Sequence, residues 1–396
     1  MTAVGILSII LGLALSLAFA MVSRSPVCVI LFLYHTAASI LYWLYSLNQP
    51  ADATFYYAIG FDSSVQLRPG TPIVTWITST IRDSFGASYL DMFMIFHIAG
   101  YIGVALLYLL CKRAVEDKPG ADKLGNNANS EATPTYLPIV IAFLPGLHVW
   151  TSAIGKDSLV FLGVACVLWG ASHRGIGMLY MLVGLAICSV IRPHIAFLLG
   201  SSAAVALLLS GGVPMAWRLM LVPLLVSALW YGLPSLQSFL RLEDMSSSGM
   251  IEYVETRQSS NLQGATSLNI SDYSLPFQFF TFMYRPLFLD AGGALGTVVS
   301  VENLVYLGLT AMYLPRAIAL VFKGGDSFFL RFNFLYWLIG STILASTTPN
   351  LGLAIRQKTM VAPSLILITL AAYAKRRRDL AAATENEGAL PERQAA

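Results

Sequence analysis

The sequence predicts an all-α, polytopic membrane protein with about eleven transmembrane helices, each close to the roughly 20 residues that cross a bilayer. Three observations predict it. The first is composition: of 396 residues, 56% are hydrophobic and 11% charged, against about 25% charged in an average soluble domain. Mean hydropathy is +0.68. These values exclude a disordered chain, a nucleic-acid-binding domain and most soluble enzyme classes. The second is arrangement, because the apolar residues fall in long blocks rather than in alternating or heptad patterns. The third is the placement of Lys and Arg, which gather between particular blocks.

The blocks lie near 3–22, 27–47, 89–111, 137–154, 158–171, 175–191, 195–210, 217–233, 298–322, 329–347 and 359–374. The first ends in Ala18-Phe19-Ala20, which resembles a signal-peptidase site, but no Lys or Arg precedes it. It is therefore read as a retained helix. Between the second and third blocks lies a long loop, 48–88. There Ile73, Trp76, Ile77, Ile81 and Phe85 recur at three- and four-residue intervals after Pro72, with Thr75, Thr78, Ser79, Arg82 and Asp83 mostly opposite. That spacing predicts an amphipathic helix of about 14 residues, too short to span, with one apolar stripe lying in the interface. The stretch 112–136 is polar and contains Gly, Asn and Pro, so it reads as a flexible linker. Several of the following blocks are shorter than a full crossing, and tilted, broken or half-helices are expected there. A second long loop, 234–297, contains an aromatic run at 277–282 that is expected to dip back towards the membrane. The organisation is one transmembrane domain, 1–374, with a basic and then disordered tail, 375–396. No internal repeat is evident, which weighs against an inverted-repeat transporter. Cys28, Cys111, Cys166 and Cys188 all fall within apolar blocks and read as small buried hydrophobes.

Orientation follows from the basic residues. With the N-terminus outside, the inner segments hold Arg24, Lys112, Arg113, Lys118, Lys123, Arg174, Arg218, Arg316, Lys323, Arg331, Lys375, Arg376, Arg377, Arg378 and Arg393. The outer segments hold Arg68, Arg82, Lys156, Arg192, Arg241, Arg257, Arg285, Arg356 and Lys358, fewer residues on longer loops. The basic cluster 375–378 anchors the C-terminus inside, so the expected topology is N-out, C-in.

Ionisable groups near hydrocarbon are costly and usually face a cavity or a partner. Under this topology Lys156 and Asp157, Arg192 and His194 around Pro193, Arg285, Glu302, Arg356 and Lys358 all emerge on one side. Each also has a structural reading. Lys156 and Asp157 fit a tight turn, Arg192, His194, Arg285 and Arg356 fit interface anchors, and Glu302 fits a partner for an Arg. GKDS at 155–158 is no phosphate loop, because Trp150 and Asp157 stand where Walker A needs Gly and Ser or Thr. His35, His97 and His148 sit in apolar context and read as satisfied core residues.

Guanidinium forks bind phosphate oxygens in pairs and stay charged at physiological pH. A cluster of Arg and Lys at the outer surface would match the diphosphate of a polyprenyl-diphosphate-linked saccharide and stabilise it as it leaves. A carboxylate or imidazole would then take the acceptor's proton. Asp52 has suitable surroundings, with Tyr56 over it at i+4 if the stretch is helical. Its structural alternative is a helix N-cap. His194 is the second candidate base, and Glu302 would orient an Arg. Lys156, Arg192, Arg285, Arg356, Arg68, Lys358 and Tyr56 would contact the diphosphate or substrate.

Asp52 with Tyr56 and Tyr57, then 68–72 (RPGTP) and Phe85-Gly86 before a membrane helix, resembles the first outer loop of GT-C-type membrane glycosyltransferases. Leu144-Pro145-Gly146, the run 150–157 (WTSAIGKD), Arg192-Pro193-His194, Tyr284-Arg285-Pro286 and Arg356 resemble Wzy-type polysaccharide polymerases and EpsG-like exopolysaccharide proteins. The resemblance covers about 50–360 and rests on short motifs. It implies a GT-C-like helix bundle in a bacterial inner membrane, transferring sugars from lipid-linked donors on the outer face, alongside polysaccharide assembly or export proteins. The chain departs from that family where its acidic loop follows the second helix instead of the first. It also lacks an evident acidic pair for a divalent metal, since Asp62 stands apart from Asp52. No cofactor is therefore expected, the basic cluster taking the metal's place. The rivals are a transporter or flippase of lipid-linked glycans, which should carry its charges near the midplane on broken helices, and an assembly subunit without catalysis.

Overall fold

Backbone amides in hydrocarbon must be satisfied within their own segment, which leaves the helix as the natural answer for long apolar blocks. The computed structural model describes residues 1–49, 51–59, 70–116, 136–173, 175–211, 254–256, 258, 268–270, 272–323 and 328–394. Among these the regular structure is entirely helical. Six helices are long and apolar enough to cross a membrane. They are α1 (Ala3–Ser23), α2 (Val27–Asn48), α5 (Tyr89–Glu116), α12 (Gly293–Lys323), α13 (Phe328–Thr347) and α14 (Leu351–Gln394). These mark a multi-pass membrane protein. The expected block at 217–233 lies outside the described residues, as does most of the linker 112–136.

The shorter elements occupy the places where the blocks fell below crossing length. The block at 137–154 is broken into α6 (Leu137–Ala142) and α7 (Pro145–Thr151). Pro145 has no N–H to donate and disfavours helical backbone at the residue before it. Leu144 is accordingly extended, at ψ 123°. Next come α8 (Lys156–Ala171), α9 (Gly177–Ile191) and α10 (Pro193–Leu209). The α8–α9 pair packs backbone to backbone: a Cβ built on Gly170 would come within 2.4 Å of the Gly177 carbonyl. Small residues permit this approach, which dispersion then rewards. In the loop 48–88 the chain forms α3 (Asp52–Ala58) and α4 (Thr71–Phe85), and α11 (Leu275–Tyr284) precedes α12.

α14 continues to Gln394, through the tail expected from the sequence to be disordered. Its Leu380-Ala381-Ala382-Ala383 run and the basic residues before it are good helix formers, so extending an existing helix is favourable. α4 buries its hydroxyl-bearing side. Its fully buried positions are Thr71, Val74, Thr75, Thr78 and Ser79, whereas Trp76 and Phe85 are exposed. Burying that hydroxyl-bearing side is cheap because the hydroxyls are satisfied. Thr75 donates to the Thr71 carbonyl at 3.1 Å and Thr78 to that of Tyr56 at 2.8 Å. Lipid, rather than water, accepts what is left facing outward.

The helix ends segregate. At one end Lys112 Nζ donates to the Ser23 carbonyl at 2.7 Å, Arg113 meets His173 at 2.7 Å, and Arg331 reaches Ser210. At the other, the Thr2 amide donates to Asp91 at 3.0 Å and Ser46 meets Tyr89 at 2.9 Å. The starts of α3, α8, α10 and α14 lie at this second end. Lys112, Arg113 and Arg331, read as inner, thus gather at one end, and Lys156, Arg192, Arg285, Arg356 and Lys358 at the other. The apolar core between them draws most heavily on α5, α8, α10, α13 and α14, and all four cysteines are buried.

Candidate functional site

Asp157 is the centre of the charged end. It lies on the first turn of α8 with a side chain only 6% exposed. Its Oδ1 accepts from Arg192 Nη2 at 2.8 Å, and its Oδ2 accepts from Arg356 Nε. Arg356 in turn donates through Nη1 to Asp52 Oδ2. The four side chains form a chain of ion pairs, Asp52–Arg356–Asp157–Arg192, drawn from α3, α14, α8 and the α9–α10 junction. Lys156 lies within electrostatic reach of all four. It adds a third basic side chain beside the two arginines.

The local backbone explains why these residues meet. Arg192 is followed by Pro193, which ends α9 and starts α10 at once, leaving Arg192 at φ −142° and ψ 79° between two helices. From there its side chain turns inward. The α3–α4 hairpin closes over it: Gly70, at φ 77°, sits so close to Ile191 that a Cβ would meet the Ile191 carbonyl at 2.1 Å. The Tyr56 ring covers Gly155. Arg82 of α4 donates to the Tyr57 carbonyl, tying the two short helices together. Ser39 of α2 donates to the Ser152 carbonyl at 3.0 Å. That contact sits nine residues before the end of α2, so the turn leading into the site lies ~13 Å below that end, at 1.5 Å per residue. The site is a recess rather than a surface patch.

Its two carboxylates differ in kind. Asp157 is buried and held by two guanidinium groups, whereas the Asp52 side chain is 55% exposed with one partner. Asp52 is the first helical residue of α3, with Ala51 at the N-cap, so the capping alternative does not describe it. Tyr56 is at i+4 over it as expected, and buried. Burial, with Asp52 beside it, pushes the Tyr56 phenol up to about 12, so it stays protonated and can only donate or accept a neutral hydrogen bond. Arg192 keeps a buried Nε without a hydrogen-bond partner, a donor not used by the resting ion pairs.

Behind this recess lies a second polar centre, and it alters three expected assignments. Glu302 was expected to orient an Arg. Instead its Oε2 accepts the Gly146 amide at 2.7 Å and its Oε1 accepts the Tyr306 hydroxyl at 2.9 Å. The break before Pro145 supplies that free amide at the start of α7, so helix geometry, not a guanidinium, satisfies the carboxylate. Lys358 was expected to bind diphosphate. It is buried, and its Nζ donates to Asn303 Oδ1 at 2.5 Å and to the Arg285 carbonyl at 3.4 Å. Asn303 Nδ2 donates to the Pro286 carbonyl at 2.8 Å. Lys358 and Asn303 therefore hold the Arg285–Pro286 turn. The Arg285 guanidinium forks onto Asp290, at 2.8 and 2.7 Å, which raises the Arg285 pKa and holds the Asp290 carboxyl below its ordinary range. Its ion pair is with Asp290 and not with a member of the Asp52–Arg356–Asp157–Arg192 chain.

Of the sequence-derived candidates, Asp52, Tyr56, Lys156, Arg192 and Arg356 come together. Glu302 and Lys358 form the rear centre, with Arg285 attached to it through its backbone. His194, on the first turn of α10, is half-buried and is not a member of the ion-pair chain. Arg68 lies outside the described residues. Asp157, Asn303 and Gly146 were missed as site residues. A charged Asp opening an apolar block was the available signal for the first, and an Asn beside Glu302 for the second. No group of three or more His, Cys, Asp or Glu is placed to hold a metal ion among the described residues.

The three core histidines also meet. His35 and His148 approach Nδ1 to Nδ1 at 3.0 Å, and His148 Nε2 faces the Ala142 carbonyl at 2.7 Å. That network assigns the His148 proton to Nε2 and a proton to His35 Nδ1. His35 Nε2 is then a buried acceptor with no partner, while His97 stacks on its ring at 5.2 Å and meets Thr36 at 2.9 Å.

Compared with protein-family models, curated proteins and solved structures, the chain matches none.

Proposed function

We propose that this chain is a glycosyltransferase or polymerase of a bacterial inner membrane. It would transfer sugar units from a polyprenyl-diphosphate carrier at the outer face, in assembly of an exopolysaccharide or O-antigen-type glycan. The observation that carries the proposal is the recessed chain Asp52–Arg356–Asp157–Arg192 with Lys156 beside it. Asp157 aligns two guanidinium groups in a buried setting, where charge-assisted bonds to phosphate are strong. Among the described residues, Asp52 is the carboxylate of that cluster with open access. The acceptor hydroxyl would attack the anomeric carbon as its proton passes to Asp52. The bond from that carbon to the diphosphate breaks, and the leaving polyprenyl diphosphate takes the electron pair, its charge held by Arg192, Arg356 and Lys156. No metal is assigned. Orientation with this end outside rests on the distribution of Lys and Arg, and the bilayer, the lipid-linked saccharide and other assembly proteins are the partners proposed.

The test is chain growth. Purified protein is incubated with lipid-linked repeat units and the glycan is sized on a gel. Wild type should make longer chains, and Arg192→Ala and Arg356→Ala should not. Unchanged glycan length with wild type removes the proposal.

A second reading is favoured by one observation: the histidine stack lies near the middle of α2, beside the broken α6–α7 pair. Buried ionisable groups and broken helices at mid-depth suit a transporter of lipid-linked glycans. Vesicles holding the protein would then move labelled lipid-linked sugar across the bilayer with no new glycosidic bond.

A further inference from the structure

Resting on the diphosphate reading of the recess, we infer that the Asp52–Arg356 ion pair is an exchangeable stopper: the diphosphate of an incoming lipid-linked donor displaces Asp52 from Arg356 and thereby frees the carboxylate for proton transfer. Three features of the cluster carry this. The two carboxylates on Arg356 are unequal, one 6% and the other 55% exposed. Asp157 is tied to two guanidinium groups and sealed from water, so releasing it would strand a buried charge. Asp52 has the Arg356 Nη1 alone, and an exposed pair of this kind is weak. When an anion arrives, Asp52 is the partner that leaves.

The neighbouring groups fit such an exchange. Arg192 has its buried Nε unpartnered, a donor that the resting ion pairs leave unused. The Nη1 vacated by Asp52 takes another. Lys156 stands close enough to add its charge. Tyr56, whose burial and neighbouring carboxylate keep its phenol neutral, introduces no competing negative charge. The displaced Asp52 stays on α3, whose other contacts to α4 run through the Tyr56 and Tyr57 carbonyls and do not involve its carboxylate. Without bound diphosphate the Asp52 carboxylate is engaged by Arg356. With it bound, Asp52 is free and beside the reacting centre, which would couple the availability of the carboxylate to donor occupancy and limit idle hydrolysis.

The exchange predicts a sign that a simple binding or catalytic role does not. Removing the charge of Asp52 removes a competitor, so Asp52→Asn should bind a prenyl diphosphate more tightly while losing turnover. The measurement is the Kd of farnesyl diphosphate and of inorganic pyrophosphate for the full chain in nanodiscs, for wild type, Asp52→Asn and Arg356→Ala. The expected gain in Asp52→Asn is about fivefold, the equivalent of an exposed ion pair, shrinking as salt rises. Arg356→Ala should lose binding. If both diphosphates gain alike, the phosphates alone drive the exchange; a gain confined to farnesyl diphosphate makes the prenyl chain part of the recognition. Unchanged or weaker binding by Asp52→Asn, with wild type still binding, overturns the stopper and leaves the diphosphate reading standing. Failure of wild type to bind either probe overturns both.

Discussion

Two polar centres sit back to back in this protein, and α14 supplies a cation to each from positions two residues apart. Arg356 faces the recess and Lys358 faces the rear centre. The residue types are alike, but the hydrogen bonding is not. In the rear centre both Glu302 oxygens and the Lys358 ammonium have partners, and those partners are the Gly146 amide, the Tyr306 hydroxyl, the Arg285 carbonyl and Asn303. In the recess a carboxylate is half-exposed and a guanidinium nitrogen lacks a partner. A saturated network holds a fold together, whereas an incompletely used one can accept a ligand. Charge by itself does not mark function; the state of its bonding does.

This contrast can be broken by experiment. The largest effect expected is on catalysis in the recess: Asp52→Asn should lower sugar transfer by about 10²–10⁴-fold, the usual worth of a general base, with the Tm unchanged because that side chain is half-exposed. A matching fall in Tm would make Asp52 part of the framework. Next is the rear centre. Glu302→Ala strands the Gly146 amide and the buried Lys358, and should destabilise the protein by about 3–5 kcal/mol, as breaking a buried charged network does. A melt in detergent reads it directly, and an unaltered Tm would deny the rear centre its structural role. Smaller again is the Arg285–Asp290 fork, partly exposed and worth about 0–1 kcal/mol. Because Asp290 is held below its ordinary pKa, its stabilisation is present above the ordinary carboxylate value of about 3.9 and is lost as pH falls through the lowered one. Asp290→Asn should therefore remove a little stability at neutral pH and none in strong acid. The smallest is Tyr56→Phe, expected to leave the stability within about 0.5 kcal/mol because no hydrogen bond of its hydroxyl to a described residue holds the site together. A large loss of transfer in this variant would place the phenol on substrate.

How much of this was legible in the sequence follows from what sets each feature. Long apolar runs and the segregation of Lys and Arg are properties of composition, so the helical class and the gathering of Lys156, Arg192 and Arg356 at one end could be read directly. The break before Pro145 was within reach, since proline acts locally. The role of Glu302 was not, because its partner is a backbone amide exposed by that break, and no side chain in the sequence announces an amide. Lys358 looked like Arg356 until the fold turned them to opposite sides of one helix. Asp157 was visible as a charge opening an apolar block, but its place between two arginines required three separate segments to converge.

The claim that most needs testing is that the recess makes glycosidic bonds. Reconstituted wild-type protein given a polyprenyl-diphosphate-linked saccharide and a sugar acceptor should release one polyprenyl diphosphate for every glycosidic bond formed, with Arg356→Ala releasing none. Donor that stays intact, or crosses the bilayer without releasing its carrier, would contradict the account.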